Sequence, residues 1–202
     1  MKSTTGSAAA RNRSYDMSNR ASSAAETGRR ILQATEDLFM AGPLGDVTLS
    51  AVAERAGVTV QTVIRRFGDR QGLINATAEF TSARVMTQRG AAPAGDVAAA
   101  VENLVEHYET TGALALKLLA EEHSSPVLAE ITEGGRQLHR QWCERVFGPF
   151  LPDGQERSRR LAQFVAVCDV YTWKLLRLDS ALSRHQVTRS LLEMLEPFTR
   201  RP

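Results

Sequence analysis

The chain has 202 residues, of which 25 are basic and 23 acidic, so its formal net charge is only +2. This balance excludes a uniformly basic surface, and any contact with nucleic acid must come from a local concentration of positive charge. Hydrophobic residues make up 43% of the chain and aromatic residues only 6%, which favours a helical globular protein. Because no apolar run approaches the roughly 20 residues of a membrane span and no apolar signal core is present, a cytoplasmic location is predicted.

The first 25 residues form a stretch of low complexity, rich in Ser, Ala, Thr and Asn. Such a composition offers little apolar surface to bury, so this segment is predicted to be a disordered, mildly basic tail. Its basic residues are Lys2, Arg11, Arg13 and Arg20. Two interpretations stay open for it, a solvated tail or a flexible arm that touches DNA phosphates or the minor groove.

From Thr27 onward, apolar residues recur at helical spacing, and no alternating strand pattern or internal repeat occurs. The predicted fold class is therefore all-α, with eight or nine helices. In chain order the predicted helices are 28–40, 49–56, 60–67, 70–89, one from Val97 that Gly112 separates from a short helix at 113–122, then 126–147, 155–178 and 184–198. We divide the chain into a tail (1–25), a helix-turn-helix domain (26–75) and a larger helical domain (76–202).

The most informative stretch is residues 47–76, VTLSAVAERAGVTVQTVIRRFGDRQGLINA. It predicts two short helices joined by a turn that contains a glycine, which is typical of a helix-turn-helix. Thr48, Thr59 and Asp69 are placed to cap the helices that follow them. The predicted core beneath the motif contains Val52, Val63 and Phe67, with small residues, Ala53 and Gly57, where the helices approach.

Helix 60–67 carries two arginines, an amide and a hydroxyl but no acidic residue. Arginine and glutamine can read base edges in the major groove, while threonine and arginine also bind phosphates. The helix N-termini beside Thr48 and Arg70 direct free N–H groups outward, which suits phosphate binding. The residues predicted to bind DNA are therefore Thr48, Thr59, Gln61, Thr62, Arg65, Arg66 and Arg70. The bland alternative for the arginine pair is a solvated helix face.

At these residues the sequence resembles the TetR family of repressors, whose usual pattern is T-x-x-x-I-A-x-x-A-G-V-[ST]-x-G-T-[LV]-Y-x-[HY]-F-x-[SN]-K-x-x-L. The chain matches it at Thr48, Val52, Ala53, Ala56, Gly57, Val58, Thr59, Thr62, Val63, Phe67 and Leu73. The resemblance covers residues of about 28 to 76, and beyond them it rests on length and helix count. It implies a two-fold dimer on operator DNA and an effector pocket in the C-terminal domain that controls DNA affinity.

Three departures from that pattern matter for DNA contact. Ile64 replaces a phosphate-contacting tyrosine, Gln61 replaces a glycine, and Arg70 replaces a lysine. Arg70 keeps the positive charge but has a different donor geometry. Because Ile64 cannot donate a hydrogen bond, we expect Arg65 and Arg66 to take over contact with the DNA backbone. Gln61 is long enough to reach a base, which leads to the hypothesis of an altered operator preference.

The last two predicted helices, 155–178 and 184–198, are the candidates for dimerisation. The first is apolar nearly all round between Leu161 and Val170, so it must bury two sides. One side can face its own domain and the other a partner subunit, which would produce a four-helix bundle between two copies. The alternative is that both helices are the core of a monomer.

Polar and aromatic residues on otherwise apolar helices are the candidate ligand-binding residues. Asp169 stands out among them, because a carboxylate in an apolar segment needs a partner. The predicted effector is an unidentified small molecule, largely apolar. The set is His107, Tyr108, His139, Trp142, Asp169, Tyr171 and Trp173, and each of them can also be an ordinary core or interface residue.

Enzymatic activity is not predicted, because the four histidines and two cysteines form no metal or catalytic motif and no nucleotide-binding glycine pattern occurs. Accordingly, no cofactor and no metal are predicted. Cys143 and Cys168 lie in apolar helical patterns and are interpreted as small buried hydrophobes. The remaining alternative to a DNA-binding regulator is a helical protein–protein interaction module without specific DNA binding, which would leave the acid-free helix 60–67 unexplained.

Overall fold

The computed structural model describes residues 6–200, with side chains from residue 22 onward, and within that range it consists of helices without strands. The fold class predicted from the sequence is confirmed. The helices are α1 (Gly6–Ala41), α2 (Leu49–Ala56), α3 (Val60–Phe67), α4 (Arg70–Gly90), α5 (Val97–Glu121), α6 (Pro126–Phe147), α7 (Glu156–Val167), α8 (Val170–Lys174) and α9 (Arg184–Thr199). Three short 3₁₀ turns, Leu44–Asp46, Glu122–Ser124 and Gly148–Phe150, and a π-helical turn, Leu175–Asp179, lie between them.

The chain separates into two compact units, Met1–Phe80 and Thr81–Pro202, and α4 contributes residues to both. In the part of the chain that the structure describes, no helix is both long and apolar enough to cross a membrane.

The first unit is held together by one fully buried side chain or more from each of its helices. Ile31 of α1, Val52 of α2, Val63 of α3 and Leu73 of α4 all have no exposed surface, and Val47 joins them from the loop before α2. Burial of each such side chain contributes about 1.5–3 kcal/mol to stability. Because these residues lie on one face of each helix, the four helices share a core.

The three predicted caps are present in the structure. Thr48 Oγ1 accepts a hydrogen bond from the Ala51 N–H (3.1 Å), and Thr59 Oγ1 accepts one from the Thr62 N–H (3.2 Å). The carboxylate of Asp69 likewise accepts from the Gly72 N–H at 2.8 Å. Because these caps satisfy otherwise unpaired amides, α2 and α3 begin where the sequence predicted.

The beginning of α1 corrects the prediction of a disordered tail for residues 6–25, the part of that tail that the structure describes. The backbone is helical from Gly6, so the first helix starts far before the predicted residue 28. Alanines such as Ala8, Ala9 and Ala10 favour a helix, and neither glycine nor proline interrupts the chain until Gly28. Lys2 lies outside the described residues, as do the side chains of Arg11, Arg13 and Arg20, so the proposed DNA-contacting arm stays a prediction.

The second unit is built around one apolar core to which α5, α6, α7, α8 and α9 all contribute. The rings of Phe147 (α6) and Phe164 (α7) stack with their centroids 4.4 Å apart, and Phe198 of α9 meets Phe164 edge-on. Cys143 and Cys168 are buried free thiols, as predicted.

Helix α5 is continuous across Gly112, where the sequence predicted a break. Gly112 is buried, and a Cβ atom built on it would lie 2.6 Å from the indole ring of Trp173. The glycine is therefore an approach point for α8 and not a helix terminator. The gain from packing the indole against the backbone outweighs the propensity cost of a mid-helix glycine, which is about 1 kcal/mol.

The predicted helix 155–178 is instead three segments, α7, α8 and the π-helical turn. The break falls at Cys168 and Asp169, and Asp169 caps α8 by accepting a hydrogen bond from the Tyr171 N–H at 2.9 Å. The apolar pattern continues through this point, so it gave no sign of the break. An aspartate can accept a hydrogen bond from the backbone and so begin a new helix, but hydrophobic periodicity does not reveal this.

Candidate DNA interface and ligand site

The turn between α2 and α3 has the backbone geometry of a helix-turn-helix. Gly57 ends α2 in the left-handed conformation, with φ of 65°, and the Val58 N–H donates to the Ala53 carbonyl at 2.9 Å. Ala53 is buried, as expected at a close approach of helices, but Gly57 is exposed and no atom lies within 4 Å of its would-be Cβ. Gly57 is thus required by its backbone conformation and not, as the sequence suggested, by close packing.

Helix α3 presents its polar side chains outward. Val63 points into the core, while Gln61, Ile64, Arg65 and Arg66 are exposed. No carboxylate lies on this helix, so its exposed face can approach phosphates without like-charge repulsion.

The threonines at the beginning of α3 are already engaged with the backbone and with each other. The Thr59 and Thr62 hydroxyl oxygens lie 2.9 Å apart. Thr59 is exposed and Thr62 is half-buried, so their hydroxyls lie beside the exposed face while they stabilise the first turn.

Two of the predicted DNA-binding arginines are folded back onto the first unit. The Arg66 guanidinium lies over the backbone of α1 at Gly28, with its Nε 2.7 Å from the would-be glycine Cβ. Arg70 donates from Nε to the Val47 carbonyl at 2.7 Å and from Nη2 to the Leu44 carbonyl. Both arginines therefore fix the local structure, and Arg65 is the basic residue of α3 that makes no such contact.

In the second unit a buried arginine lies at the centre of most of the predicted ligand-binding residues. Arg89, near the end of α4, is only 6% exposed, and its guanidinium stacks on the Trp142 ring at 4.0 Å. Its Nη2 lies 3.3 Å from His139 Nδ1. The Trp142 indole N–H donates to the Arg89 carbonyl at 3.0 Å, and Arg145 donates to the same oxygen.

His107, Tyr108 and Trp173 continue this group on its other side. The His107 and Tyr108 ring centroids are 5.0 Å apart, those of Tyr108 and Trp173 are 5.8 Å apart, and the Arg89 guanidinium lies 5.9 Å from the Tyr108 ring. The Tyr108 hydroxyl donates to the Cys168 carbonyl at 3.0 Å. We call the six residues Arg89, His107, Tyr108, His139, Trp142 and Trp173 the Arg89 cluster.

Burial and the arginine charge set the protonation of the Arg89 cluster. Burial is the main cause that lowers the pKa of His107 to about 3, and the neighbouring Arg89 and His139 act in the same direction. Burial also raises the pKa of Tyr108. Both side chains are consequently neutral at pH 7.

Cys143 lies at the edge of the cluster, with its Sγ 3.8 Å from His139 Nε2. Burial alone would raise the pKa of this thiol, but hydrogen bonds with Cys168 and His139, together with the charge of Arg89, lower it to about 5.

The two remaining predicted ligand-binding residues take no part in the ring contacts of the cluster, although the Asp169 carboxylate lies close enough to act on the pKa of Tyr108. Tyr171 is 52% exposed. Asp169 is half-buried and one of its carboxylate oxygens caps α8, so the partner that the sequence required for this carboxylate is the backbone.

Comparison with known proteins identifies the first unit. Residues 31–77 match the family model described as bacterial regulatory proteins, tetR family. The segment that contains the helix-turn-helix therefore matches the TetR family. Among solved structures, a transcriptional regulator from Rhodococcus sp. Rha1 has a TM-score of 0.64 and 18% identity, over 87% of this chain and 99% of that chain. A protein assigned to the TetR-family transcriptional regulators, from Rhodococcus sp., has a TM-score of 0.63 and 16% identity, over 87% and 100%. No curated protein matches the chain.

The match of this segment to the TetR family supports a DNA-binding transcriptional regulator. The matched segment contains α2 and α3 completely, so the family assignment and the geometry of the motif concern the same residues. The two Rhodococcus structures extend the likeness of fold to the helices that follow the motif.

Arg89 is the residue of the cluster that sequence reasoning missed. It follows Gln88 near the end of a polar helix, where a basic residue is usually solvated and favoured by the helix dipole. No local signal distinguishes it from Arg84 one and a half turns earlier, because its burial is created by α6.

Proposed function

We propose that this TetR-family regulator is a repressor that a small-molecule effector releases from operator DNA. The observation that carries the proposal is the exposed, acid-free face of α3, on which the side chains of Gln61 and Arg65 are exposed. A two-turn helix with such a face fits the major groove, where Gln and Arg side chains can form paired hydrogen bonds with base edges.

The other predicted DNA-binding residues support α3 in this proposal. Thr48, Thr59 and Thr62 bring the N-termini of α2 and α3 to phosphates, which these helix ends attract. Arg66 and Arg70 hold α1 and the loop before α2 against α3, and the remaining N–H groups of each guanidinium contact phosphates. Gln61 contacts a base and contributes to the choice of operator.

We propose further that the regulator acts as a homodimer of the last helices. Exposed apolar side chains gather on α8, the π-helical turn and α9, where Tyr171, Leu175, Leu178 and Met194 are each 42–59% exposed. A second copy that covers them would present two α3 helices to successive major grooves, about 34 to 36 Å apart.

The effector acts through the Arg89 cluster and α4. Arg89 belongs to α4, and this helix is unbroken from Arg70 to Gly90. A ligand that binds one position of Arg89 better than another shifts the population of α4 positions, and with it the spacing of the two α3 helices.

Fluorescence anisotropy with DNA that flanks the gene tests the proposal, at several salt concentrations and with random DNA as competitor. We expect tight, competitor-resistant binding with a steep salt dependence. R65A and T62A should weaken binding about tenfold or more, and R65A should reduce the salt slope by about one. R140A, which changes an exposed arginine of α6 outside both the motif and the proposed dimer surface, is the matched control and should bind normally.

If R65A and T62A keep their fold and bind this DNA as well as R140A does, α3 is not the helix that contacts the bases. Binding that never exceeds the affinity for random DNA, at this or any other genomic site, would favour the helical interaction module instead.

A further inference from the structure

We propose that the effector is an organic carboxylate and that Arg89 binds its carboxylate group. This inference rests on the effector-controlled function proposed above and adds to it the chemical class of the ligand. It starts from one observation, a guanidinium that is buried without a carboxylate.

The Arg89 side chain is buried, with only 6% of the residue exposed. In the described part of the chain, no acidic side chain forms an ion pair with it, and its Nε–H has no hydrogen-bond acceptor. Burial of an unpaired charge costs several kcal/mol. A fold retains such a group at this cost when a ligand supplies the missing charge.

Among the described residues no carboxylate pairs with Arg89, and Asp169, which acts electrostatically on the neighbouring Tyr108, caps α8 instead. His139 accepts one N–H, the Trp142 ring stacks on the guanidinium plane, and the nearby His107 is neutral at pH 7 because its pKa is about 3. A carboxylate is the planar anion that receives two parallel N–H bonds from a guanidinium. The Nε–H of Arg89, which has no acceptor, lies on an edge of the guanidinium that can donate two parallel hydrogen bonds to a carboxylate.

The charge of the site favours a monoanion. Arg145, the other arginine nearby, donates its N–H groups to the carbonyls of Ala92 and Arg89 and so serves the loop after α4. One guanidinium balances one negative charge, which suits a carboxylate better than a phosphate dianion. The rings of Tyr108, His139 and Trp142 surround it with apolar surface, which suits an aromatic or aliphatic body on the acid.

One group of the protein itself could supply the negative charge beside Arg89 in place of a ligand. The Cys143 thiol has a pKa lowered to about 5 and touches His139, so a Cys143 thiolate is the internal anion that could balance Arg89. The test therefore includes a C143S variant, in which that anion cannot form.

Thermal unfolding of the full-length protein tests the proposal, with sodium formate, hexanoate, benzoate and phenylacetate as probes. Sodium chloride at equal ionic strength and neutral benzamide are the controls. The variants are R89M, C143S and R160M. Arg160 is the matched control, since its Nε is also buried without a partner and its guanidinium lies 4.9 Å from the Phe198 ring.

We expect at least one carboxylate to raise the Tm of the wild type, C143S and R160M, and to bind R89M at least tenfold more weakly. Benzamide and chloride should not raise the Tm. The R89M protein without ligand should unfold cooperatively, which separates a lost ligand from a lost fold, and R89K, which keeps the charge, should restore part of the response.

The proposal is overturned if none of the four carboxylates stabilises the wild type more than R89M. It is also overturned if C143S responds to carboxylates and the wild type does not, because the thiolate is then the partner of Arg89. A carboxylate that binds at Arg89 and leaves DNA affinity unchanged would contradict its role as effector. Failure to bind operator DNA without any carboxylate would instead contradict the proposed function and leave the anion site standing.

Discussion

Single side chains decide how closely the helices of the second unit approach one another. Gly112 and Trp173 illustrate this, because the Trp173 indole fills the space that a side chain at position 112 would need. Trp173 is 5% exposed, and its N–H donates to the Glu109 carboxylate at 3.3 Å. The ring is therefore fixed on both sides and cannot move away cheaply.

Gly112→Ala is predicted to destabilise the protein by about 1–3 kcal/mol, the usual cost of overpacking a core. Urea unfolding measures this loss, and it should be smaller in a W173L background because the clash is then relieved. Gly134→Ala is the control, since Gly134 lies in α6 with no atom near its would-be Cβ. That variant should be more stable by up to about 1 kcal/mol. Equal effects at the two positions would contradict the packing argument.

The buried His107 predicts a dependence of stability on pH. Its pKa of about 3 in the folded state lies below the unfolded value of 6.5, so the unfolded chain takes up the proton first as the pH falls. The His107 contribution is complete above pH 6.5 and is lost progressively between pH 6.5 and 3, by up to about 1.4 kcal/mol per pH unit.

Urea unfolding between pH 7 and pH 5 measures this slope, in a range above the titration of most carboxylates. H107Q should flatten it, whereas H123Q should not, since the His123 side chain is 94% exposed. An unchanged slope in H107Q would assign the pH dependence to another group.

At the scale of secondary structure, the N-cap at Asp169 separates α7 from α8, although the apolar pattern of the sequence is continuous across them. α7 and α8 are separate helices because the chain turns at Cys168 and Asp169 satisfies an N–H at the start of α8. The same carboxylate was a candidate for ligand binding, and the two roles have different chemical requirements. A cap needs an acceptor oxygen, while a cationic ligand needs the charge.

Asp169→Ala is therefore predicted to lower the free energy of unfolding by about 1 kcal/mol, the usual contribution of an N-cap. Asp169→Asn keeps an acceptor oxygen and should stay within a few tenths of the wild type. Urea unfolding of both variants distinguishes the roles, and an Asn variant as unstable as the Ala variant would show that the charge matters.

At the scale of the whole molecule, the exposed apolar residues of α8, the π-helical turn and α9 make the monomer incomplete in our proposal. Leu175 and Leu178 of the π-helical turn belong to this surface, at 59% and 52% exposure. Exposed apolar residues that cluster are typical of an interface, whereas isolated ones are ordinary. Met86 of α4, outside these elements, is 57% exposed.

The double variant L175D/L178D is predicted to be monomeric and to lose most of its operator affinity, because two linked α3 helices bind DNA far more tightly than one. Sedimentation velocity and anisotropy measure the two effects. M86D changes an equally exposed apolar residue outside the cluster and should stay dimeric. A wild type that sediments as a monomer at micromolar concentration would contradict the proposed assembly.

The sequence by itself determined the all-α class, the bounds of α2 and α3, their caps and the TetR resemblance. These features depend on contacts between residues a few positions apart, such as Thr59 with Thr62, so local periodicity and capping chemistry reveal them. The acid-free face of α3 is equally local, because a helix of known phase places Gln61 and Arg65 outward.

Only the tertiary structure decided the rest. Gly112 lies inside a continuous helix because Trp173, 61 residues later in the chain, packs against it, and Arg89 is buried because α6 brings Trp142 over it. Likewise, Arg66 packs against the backbone of α1, and Arg70 donates hydrogen bonds to the loop before α2. Burial and pairing of this kind depend on residues that are distant in sequence. A local sequence pattern does not indicate which distant residue will make the contact.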